Sequence, residues 1–148
     1  MPAFKIADTM TNIPLILASS SRYRRELLDR LGLAYTCVSP EVDETPLAGE
    51  SPVQLCTRLA RLKAEAVAKT NPHAVVIGSD QVCDLDGQAL GKPHTFEKAV
   101  AQLMSMQGKR VVFHTAVCVL SPVLPPQETI SDTVITMRAL TEETVRDY

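Results

Sequence analysis

Two short, wholly apolar runs that stop abruptly at polar residues limit the folds that this chain can adopt. Residues 14–18 (Pro-Leu-Ile-Leu-Ala) and 74–78 (Ala-Val-Val-Ile-Gly) have the composition of strands buried within a sheet. After the first run, Ser21 is placed to cap a helix that ends at Leu31 and has Leu27, Leu28 and Leu31 on its apolar face. Ser51 with Pro52 begins a longer helix that ends before Asn71. Strands that alternate with helices in this way predict an α/β fold.

The second half of the chain predicts antiparallel pairing in the same sheet. Asp86-Gly87 is a hairpin turn signal after the second apolar run, and Thr95 is placed to cap the next helix. Residues 110–120 and 129–138 are rich in β-branched residues, and a proline-rich loop joins them. A last helix is expected from Thr141. The predicted architecture is therefore a mixed central sheet flanked by helices.

The composition excludes several classes of partner. The chain has 148 residues and a formal net charge of −2, so we do not expect it to bind a nucleic-acid polymer or an anionic membrane. No apolar run approaches the ~20 residues needed to cross a bilayer. The four cysteines never form a CxxC pair, which is typical of reduced, buried thiols in a cytoplasmic protein. We expect one domain over residues 14–148, after a leader or poorly ordered segment at residues 1–13.

Polar clusters follow the predicted strands, where open α/β sheets usually bind ligands. The first cluster runs from Ser19 to Arg25 and places three arginines at the start of the predicted helix. Arginines there oppose the helix dipole, at a cost of ~0.3–1 kcal/mol each, unless an anion lies between them. The cluster is therefore either a serine cap with solvated arginines or an anion site, and the dipole argument favours the anion site.

Acidic residues mark two further positions. Glu41, Asp43 and Glu44 lie in one loop, which either is solvated or supplies oxygen ligands to a hard divalent cation. Asp80 leaves the end of the second apolar run. A partly buried carboxylate beside a metal is suited to activating water, although aspartate is also common in ordinary turns.

Two lysines are candidates for binding phosphate. Lys63 lies on the predicted helix after the acidic loop, where a lone lysine is usually on the surface, and Lys92 follows the predicted hairpin. Residues 87–93 do not form a P-loop, because the glycines are too close together and Pro93 occupies the place of the magnesium-binding hydroxyl. The histidines share no metal-ligand spacing.

Taken in order along the chain, these clusters resemble the Maf family of nucleotide pyrophosphatases, from Pro14 to Tyr148. The motifs that carry the resemblance are Leu17-Ala-Ser19-x-Ser21 followed by Arg24, Val42-Asp43-Glu44, Lys63-Ala64, Gly78-Ser-Asp80-Gln81-Val82 and Gly91-Lys92-Pro93. The resemblance implies an elongated α/β fold around a mixed sheet, with a nucleotide cleft between two lobes. It also implies hydrolysis of a nucleoside triphosphate to the monophosphate and pyrophosphate.

The resemblance implies roles for the polar residues. Asp80 would be the catalytic carboxylate and, with Glu44, would hold a divalent cation, Mg²⁺ or Mn²⁺. The residues that would bind the triphosphate are Ser19, Ser21, Arg24, Lys63 and Lys92. Gln81 and Tyr23 resemble the 7-methyl-GTP subgroup, in which Tyr23 would stack on the cationic base. The alternative is the dTTP/UTP subgroup, which has threonine and arginine at these positions.

The resemblance also bears on assembly. Family members continue beyond the position of Tyr148 with a glycine-rich segment and a closing helix, so part of the pocket is expected to be missing here. The last helix would then lean on the sheet through Leu140 and Val145 and leave an apolar strip exposed, which predicts a homodimer. The alternatives to an enzyme are a nucleotide-binding regulator of septum formation without turnover and a fragment that only binds a partner.

Overall fold

The computed structural model describes residues 13–139 and 141–147. Its strands are β1 (Leu15–Ala18), β2 (Thr36–Cys37), β3 (Val75–Leu85), β4 (Gln88–Leu90), β5 (Arg110–Leu120) and β6 (Gln127–Thr136). Its helices are α1 (Arg22–Asp29), α2 (Pro52–Ala68), α3 (Phe96–Ser105) and α4 (Glu142–Asp147). The α/β fold predicted from the apolar runs is confirmed. The predicted leader, apart from Ile13, lies outside the described residues.

Among the described residues, the strands form one mixed sheet in the order β2-β1-β3-β5-β6, with β4 paired to β3. β1 runs parallel to both β2 and β3, and Ala18 lies opposite Gly78. β3 and β4 form the predicted hairpin. Asp86 and Gly87 have positive φ angles of 52° and 84° at its turn, as a tight two-residue connection requires.

The pairing of β5 with β6 is antiparallel, as predicted. The Met137 N–H donates to the Lys109 carbonyl oxygen, and the His114 ring contacts Asp132. Residue numbers therefore rise along β5 while those of their partners on β6 fall. Every side chain of β6 is exposed, so this strand at the end of the sheet order buries little apolar surface.

The chain divides into two compact units. The first contains the residues up to Thr45, Thr57–Asp80 and Ala116–Thr129, and the second contains Pro46–Cys56, Gln81–Thr115 and the residues from Ile130 onward. Ile16, Leu59 and Val76 are buried in the first unit, and Leu85, Met106 and Val111 form a core cluster in the second. The single domain predicted for residues 14–148 stays a prediction.

Some local predictions need correction. α1 ends at Asp29 and not at Leu31, because Arg30 caps it and Gly32, with φ 70°, turns the chain away. Leu28 is buried there, whereas Leu27 and Leu31 are exposed, so the predicted apolar face of this helix is mostly solvated.

The predictions of reduced, buried cysteines and of a last helix packed through Leu140 and Val145 are confirmed in part. All four cysteines are free, but Cys37 is exposed, because the short strand β2 lies at the edge of the sheet. No helix in the described ranges is long and apolar enough to cross a bilayer. Val145 is buried as predicted, while Leu140 lies outside the described residues.

Candidate active site

A buried ion cluster in the first unit brings together three residues selected from the sequence. The Lys63 Nζ atom lies 2.8 Å from Asp80 Oδ1 and 2.9 Å from Glu44 Oε1. The side chains of Lys63 and Asp80 are 11% and 9% exposed, whereas that of Glu44 is 51% exposed. One ammonium group therefore contacts two carboxylates, and the cluster is open to solvent on the Glu44 side.

The close approach of β3 to α2 positions this cluster. A Cβ atom at Gly78 would overlap the Ala60 carbonyl oxygen and would lie 2.6 Å from the Ala64 nitrogen. Ala60 and Ala64 are themselves small and almost fully buried. Lys63 precedes Ala64 on the helix, and Asp80 comes shortly after Gly78 on the strand. The helix–strand contact therefore brings the ammonium and the carboxylate together.

In the acidic loop, residues 41–44, the Glu44 carboxylate contacts the ion cluster and the Asp43 carboxylate stabilises the turn of the loop. Asp43 Oδ1 accepts a hydrogen bond of 2.9 Å from the Thr45 N–H, and hydrogen bonding to Thr45 lowers the pKa of Asp43. Arg58 Nη2 donates to the Thr45 carbonyl at 3.1 Å and joins the loop to α2. Glu41 is exposed. Glu44 is the acid of this loop that contacts the ion cluster, through Lys63, and its metal role stays a prediction.

The serine loop after β1 is organised by its own hydrogen bonds. Ser19 is buried, and its Oγ accepts from the Ser21 N–H at 3.0 Å and from Arg24 Nη1 at 3.4 Å. Ser21 Oγ accepts from the Arg24 N–H at 3.3 Å and caps α1, as predicted. These bonds use neither hydroxyl hydrogen, so both serines retain a donor for an anion.

The serine loop follows the end of β1, whereas Asp80 lies inside β3. The second apolar run was predicted to stop at Gly78, but β3 continues through Asp80 to Leu85, because its later residues pair with β4. Because Ala18 lies opposite Gly78, Ser19 and Ser79 follow at the same level of the sheet. Ser79, which had no predicted role, is buried, and its Oγ donates to the Ala116 carbonyl at 2.9 Å. The local sequence does not distinguish such a strand-bridging serine from a phosphate ligand.

The other predicted site residues lie elsewhere. Lys92 is exposed in the loop after β4, and Gln81 is exposed on β3; both belong to the second unit. Gln81 Nε2 donates to Thr115 Oγ1 at 3.2 Å. Tyr23, in the first turn of α1, is 66% exposed. Within the described parts of the chain, no group of three or more His, Cys, Asp or Glu is arranged to hold a metal ion.

Residues 14–148 match the family described as Maf-like protein, and this match includes both the serine loop and the ion cluster. The chain belongs to the Maf family. This Maf chain is 53% identical over 143 residues to the 7-methyl-GTP pyrophosphatase of a Polaromonas species. The matched region covers 96% of the chain and 65% of that relative. The chain is 57% identical over 110 residues to the 7-methyl-GTP pyrophosphatase of Cupriavidus metallidurans, which covers 74% of the chain and 55% of the relative. The Maf chain therefore spans about 55–65% of the length of these relatives.

Solved structures resemble the Maf chain in fold. The Ham1 protein of Staphylococcus aureus matches with a TM-score of 0.58 at 17% identity, over 83% of the Maf chain and 71% of that protein. A HAM1 protein of Coxiella burnetii matches with a TM-score of 0.52 at 14% identity, over 82% of the Maf chain and 70% of that protein. At these identities the likeness shows the fold alone, and it confirms the mixed sheet flanked by helices.

Proposed function

We propose that the Maf protein represented by this chain hydrolyses a nucleoside triphosphate to the monophosphate and pyrophosphate, and that 7-methyl-GTP is its substrate. The observation that carries the proposal is the buried Lys63–Asp80 pair, with Glu44 beside it, just beyond the part of β3 that pairs in parallel with β1. The names of the two similar proteins, both 7-methyl-GTP pyrophosphatases, support the choice of substrate.

In the proposed reaction, Asp80 orients a water molecule and accepts its proton while the water oxygen forms a bond to the α-phosphorus. The bond from the α-phosphorus to the oxygen that bridges to the β-phosphate breaks, and pyrophosphate leaves with the bonding electron pair. Ser19 and Ser21 donate hydrogen bonds to phosphate oxygens, and Arg24 supplies a positive charge close to them. Lys63 and Lys92 complete the proposed charge neutralisation.

A divalent cation, Mg²⁺ or Mn²⁺, is the proposed cofactor. Glu44 and Asp80 suit such an ion, because both turn a carboxylate oxygen toward the same positively charged atom, Lys63 Nζ. Magnesium is commonly held by one or two carboxylates together with substrate phosphates, so this pair is a sufficient protein contribution. When bound, the cation would neutralise charge on the phosphate oxygens.

Base selection is assigned to Gln81 and Tyr23. The Gln81 amide N–H donates to Thr115, which leaves the Gln81 carbonyl oxygen as an acceptor for a donor on the base. The exposed ring of Tyr23 is available to stack on a methylated purine, which carries a positive charge.

The reaction is tested by measuring pyrophosphate release from 7-methyl-GTP, GTP, dTTP and UTP, with Mg²⁺ or Mn²⁺, by the full-length protein. We expect 7-methyl-GTP to have the highest kcat/KM. Asp80→Asn removes the proton acceptor and should lower kcat by about 10²–10⁴-fold. Asp86→Asn makes the same chemical change at the hairpin turn and should leave turnover intact. Undiminished turnover by Asp80→Asn would contradict the mechanism, and nucleotide binding without any turnover would favour a regulator.

We further propose that the protein is a cytoplasmic homodimer. The end strand β6 exposes Ile130, Val134 and Ile135, at 42%, 47% and 40% respectively, and an exposed apolar strand edge favours self-association. The free cysteines suit a reducing compartment. Sedimentation at micromolar concentration should show a dimer that Val134→Lys dissociates. The matched change Val123→Lys, in the exposed loop before β6, should not dissociate it.

A further inference from the structure

A buried histidine in the second unit joins three neighbouring strands through its side chain. His114, on β5, is 5% exposed. Its Nε2 atom lies 2.8 Å from Asp84 Oδ2 on β3, and its Nδ1 atom lies 2.7 Å from Asp132 Oδ1 on β6. Since β5 lies between β3 and β6 in the sheet, the ring links a central strand to the end strand. The proposed reaction uses none of these three residues.

The chemistry of the two contacts constrains the protonation of the ring. An ionised carboxylate only accepts hydrogen bonds, whereas a neutral imidazole has one N–H donor and one nitrogen lone pair. A neutral ring would therefore turn a lone pair toward one of the two carboxylates at hydrogen-bond distance. An imidazolium has two N–H donors and satisfies both contacts. We propose that His114 is an imidazolium in the native protein and that it acts as a latch, which fastens residues 130–136 of β6 to the rest of the second unit.

The charged groups around the ring come from both neighbouring strands. Burial lowers the pKa of His114, but hydrogen bonds and charge from Asp84 on β3 and Asp132 on β6 outweigh this effect and raise its pKa above the usual 6.5. From α2, the Cys56 thiol donates to the His114 backbone carbonyl at 3.2 Å. The Cys56 contact is with the backbone, so it does not supply a partner for the ring.

The latch matters because β6 has few other attachments of its side chains. Within one protomer all its side chains are exposed, so burial of apolar surface inside the protomer contributes little to holding this strand. A histidine whose pKa is raised on folding stabilises the native state fully below its unfolded pKa, and this stabilisation is lost as the pH rises through the native pKa. The order of β6 should therefore decrease when the pH rises above the native pKa of His114. Below that pKa the latch should stay closed until the carboxylates of Asp84 and Asp132 become protonated.

The protonation state is tested directly on the unaltered protein. Nitrogen-15 NMR of histidine-labelled protein distinguishes an imidazole with two N–H groups from one with a single N–H group. We expect two N–H groups on His114 at pH 7, with His114→Gln identifying the signal. A single N–H group with one lone-pair nitrogen at pH 7 would show that a carboxyl group carries the proton, and it would overturn the proposal.

The link to β6 is tested by hydrogen exchange and unfolding between pH 6 and pH 10. In the unaltered protein, protection of the β6 amides, corrected for intrinsic exchange, should fall about tenfold or more from pH 6 to pH 10, as the latch opens. Asp132→Asn should show the low protection at both pH values, with a Tm deficit that is largest at pH 6. His73→Gln, which alters an exposed histidine of the first unit, should follow the unaltered protein. A Tm deficit of Asp132→Asn that does not vary with pH would refute the latch.

Discussion

Two buried clusters on β3 each place a nitrogen cation between carboxylates, and they differ in how that cation is held. In the first unit the Lys63 ammonium contacts Asp80, which is buried, and Glu44, which is half exposed. In the second unit the His114 ring is fixed between β3 and β6, with one nitrogen directed at each strand. The first cluster is open to solvent on one side, whereas the imidazole of the second has no ring nitrogen left for another partner.

The difference indicates different uses for similar charges. An ammonium group is a point charge with three donors on a flexible stem, so it can exchange one oxygen partner for another. An imidazolium donates along two fixed directions, and in the absence of charged partners it loses its charge near neutral pH. The lysine cluster therefore suits a site where a metal and phosphates arrive, while the histidine cluster suits a link that fastens strands together.

The largest expected effect comes from breaking the lysine cluster. Lys63→Met keeps most of the side-chain volume but removes the charge that Asp80 and Glu44 share. Leaving a buried carboxylate without its partner typically costs about 3–5 kcal/mol of unfolding free energy, which urea denaturation measures. Arg61→Met removes an exposed pair with Glu128 from the same helix and should change stability much less.

The Lys63→Met variant also tests whether Glu44 and Asp80 bind the proposed cation. If Glu44 and Asp80 hold the cation, millimolar Mg²⁺ should restore part of the stability that Lys63→Met loses. The double variant Lys63→Met with Glu44→Gln should not recover. Equal recovery in both variants would show that the ion binds elsewhere.

A smaller effect is expected from widening the contact that positions the lysine cluster. Gly78→Ala places a methyl group against the backbone of α2 at Ala60 and Ala64, and such overpacking typically costs about 1–3 kcal/mol. Turnover should fall as well, because Lys63 and Asp80 are carried on the two elements that move apart. A Cβ atom added at Gly91 would meet no atom within 4 Å apart from its chain neighbours. Gly91→Ala should therefore change the free energy of unfolding by less than about 0.5 kcal/mol. Equal stability losses in the two variants would contradict the close-contact explanation.

The smallest effect concerns base selection by Gln81 and Tyr23. Gln81 follows Asp80 in the chain, and its hydrogen-bond partner Thr115 follows His114. Gln81→Thr combined with Tyr23→Arg should shift relative kcat/KM from 7-methyl-GTP toward dTTP or UTP by about tenfold, a difference of about 1.4 kcal/mol. Competition assays with mixed nucleotides measure this ratio. An unchanged ratio would show that residues other than Gln81 and Tyr23 select the base.

Local patterns were enough to predict much of the fold and part of the candidate site. The two apolar runs indicated buried strands, and both are strands that pair in parallel, although β3 does not end at its apolar run but continues to Leu85. The cap at Ser21 and the turn at Asp86-Gly87 follow from residue chemistry over a few neighbouring positions. Such features are predictable because their causes lie within one turn or one strand of the chain.

The burial of Lys63 was not predictable in the same way. A lone lysine on a helix is usually on the surface, and nothing in its neighbours along the chain contradicts that expectation. Its burial depends on the absence of a side chain at Gly78, on a different element, which lets β3 approach α2 closely. The resemblance to the Maf family therefore implied a role for Lys63, whereas its contacts with Asp80 and Glu44 are visible only in the structure.

Local composition and spacing account for the order of the elements, the buried strands β1 and β3 and the membership of the Maf family. The tertiary structure alone decided which charges meet. Asp84, His114 and Asp132 lie far apart in the chain, and only the pairing of β3, β5 and β6 brings them within hydrogen-bond distance. Strand register is a relation between segments that are distant in the chain. If one of these strands slipped by one residue, its side chain in the cluster would turn to the opposite face of the sheet.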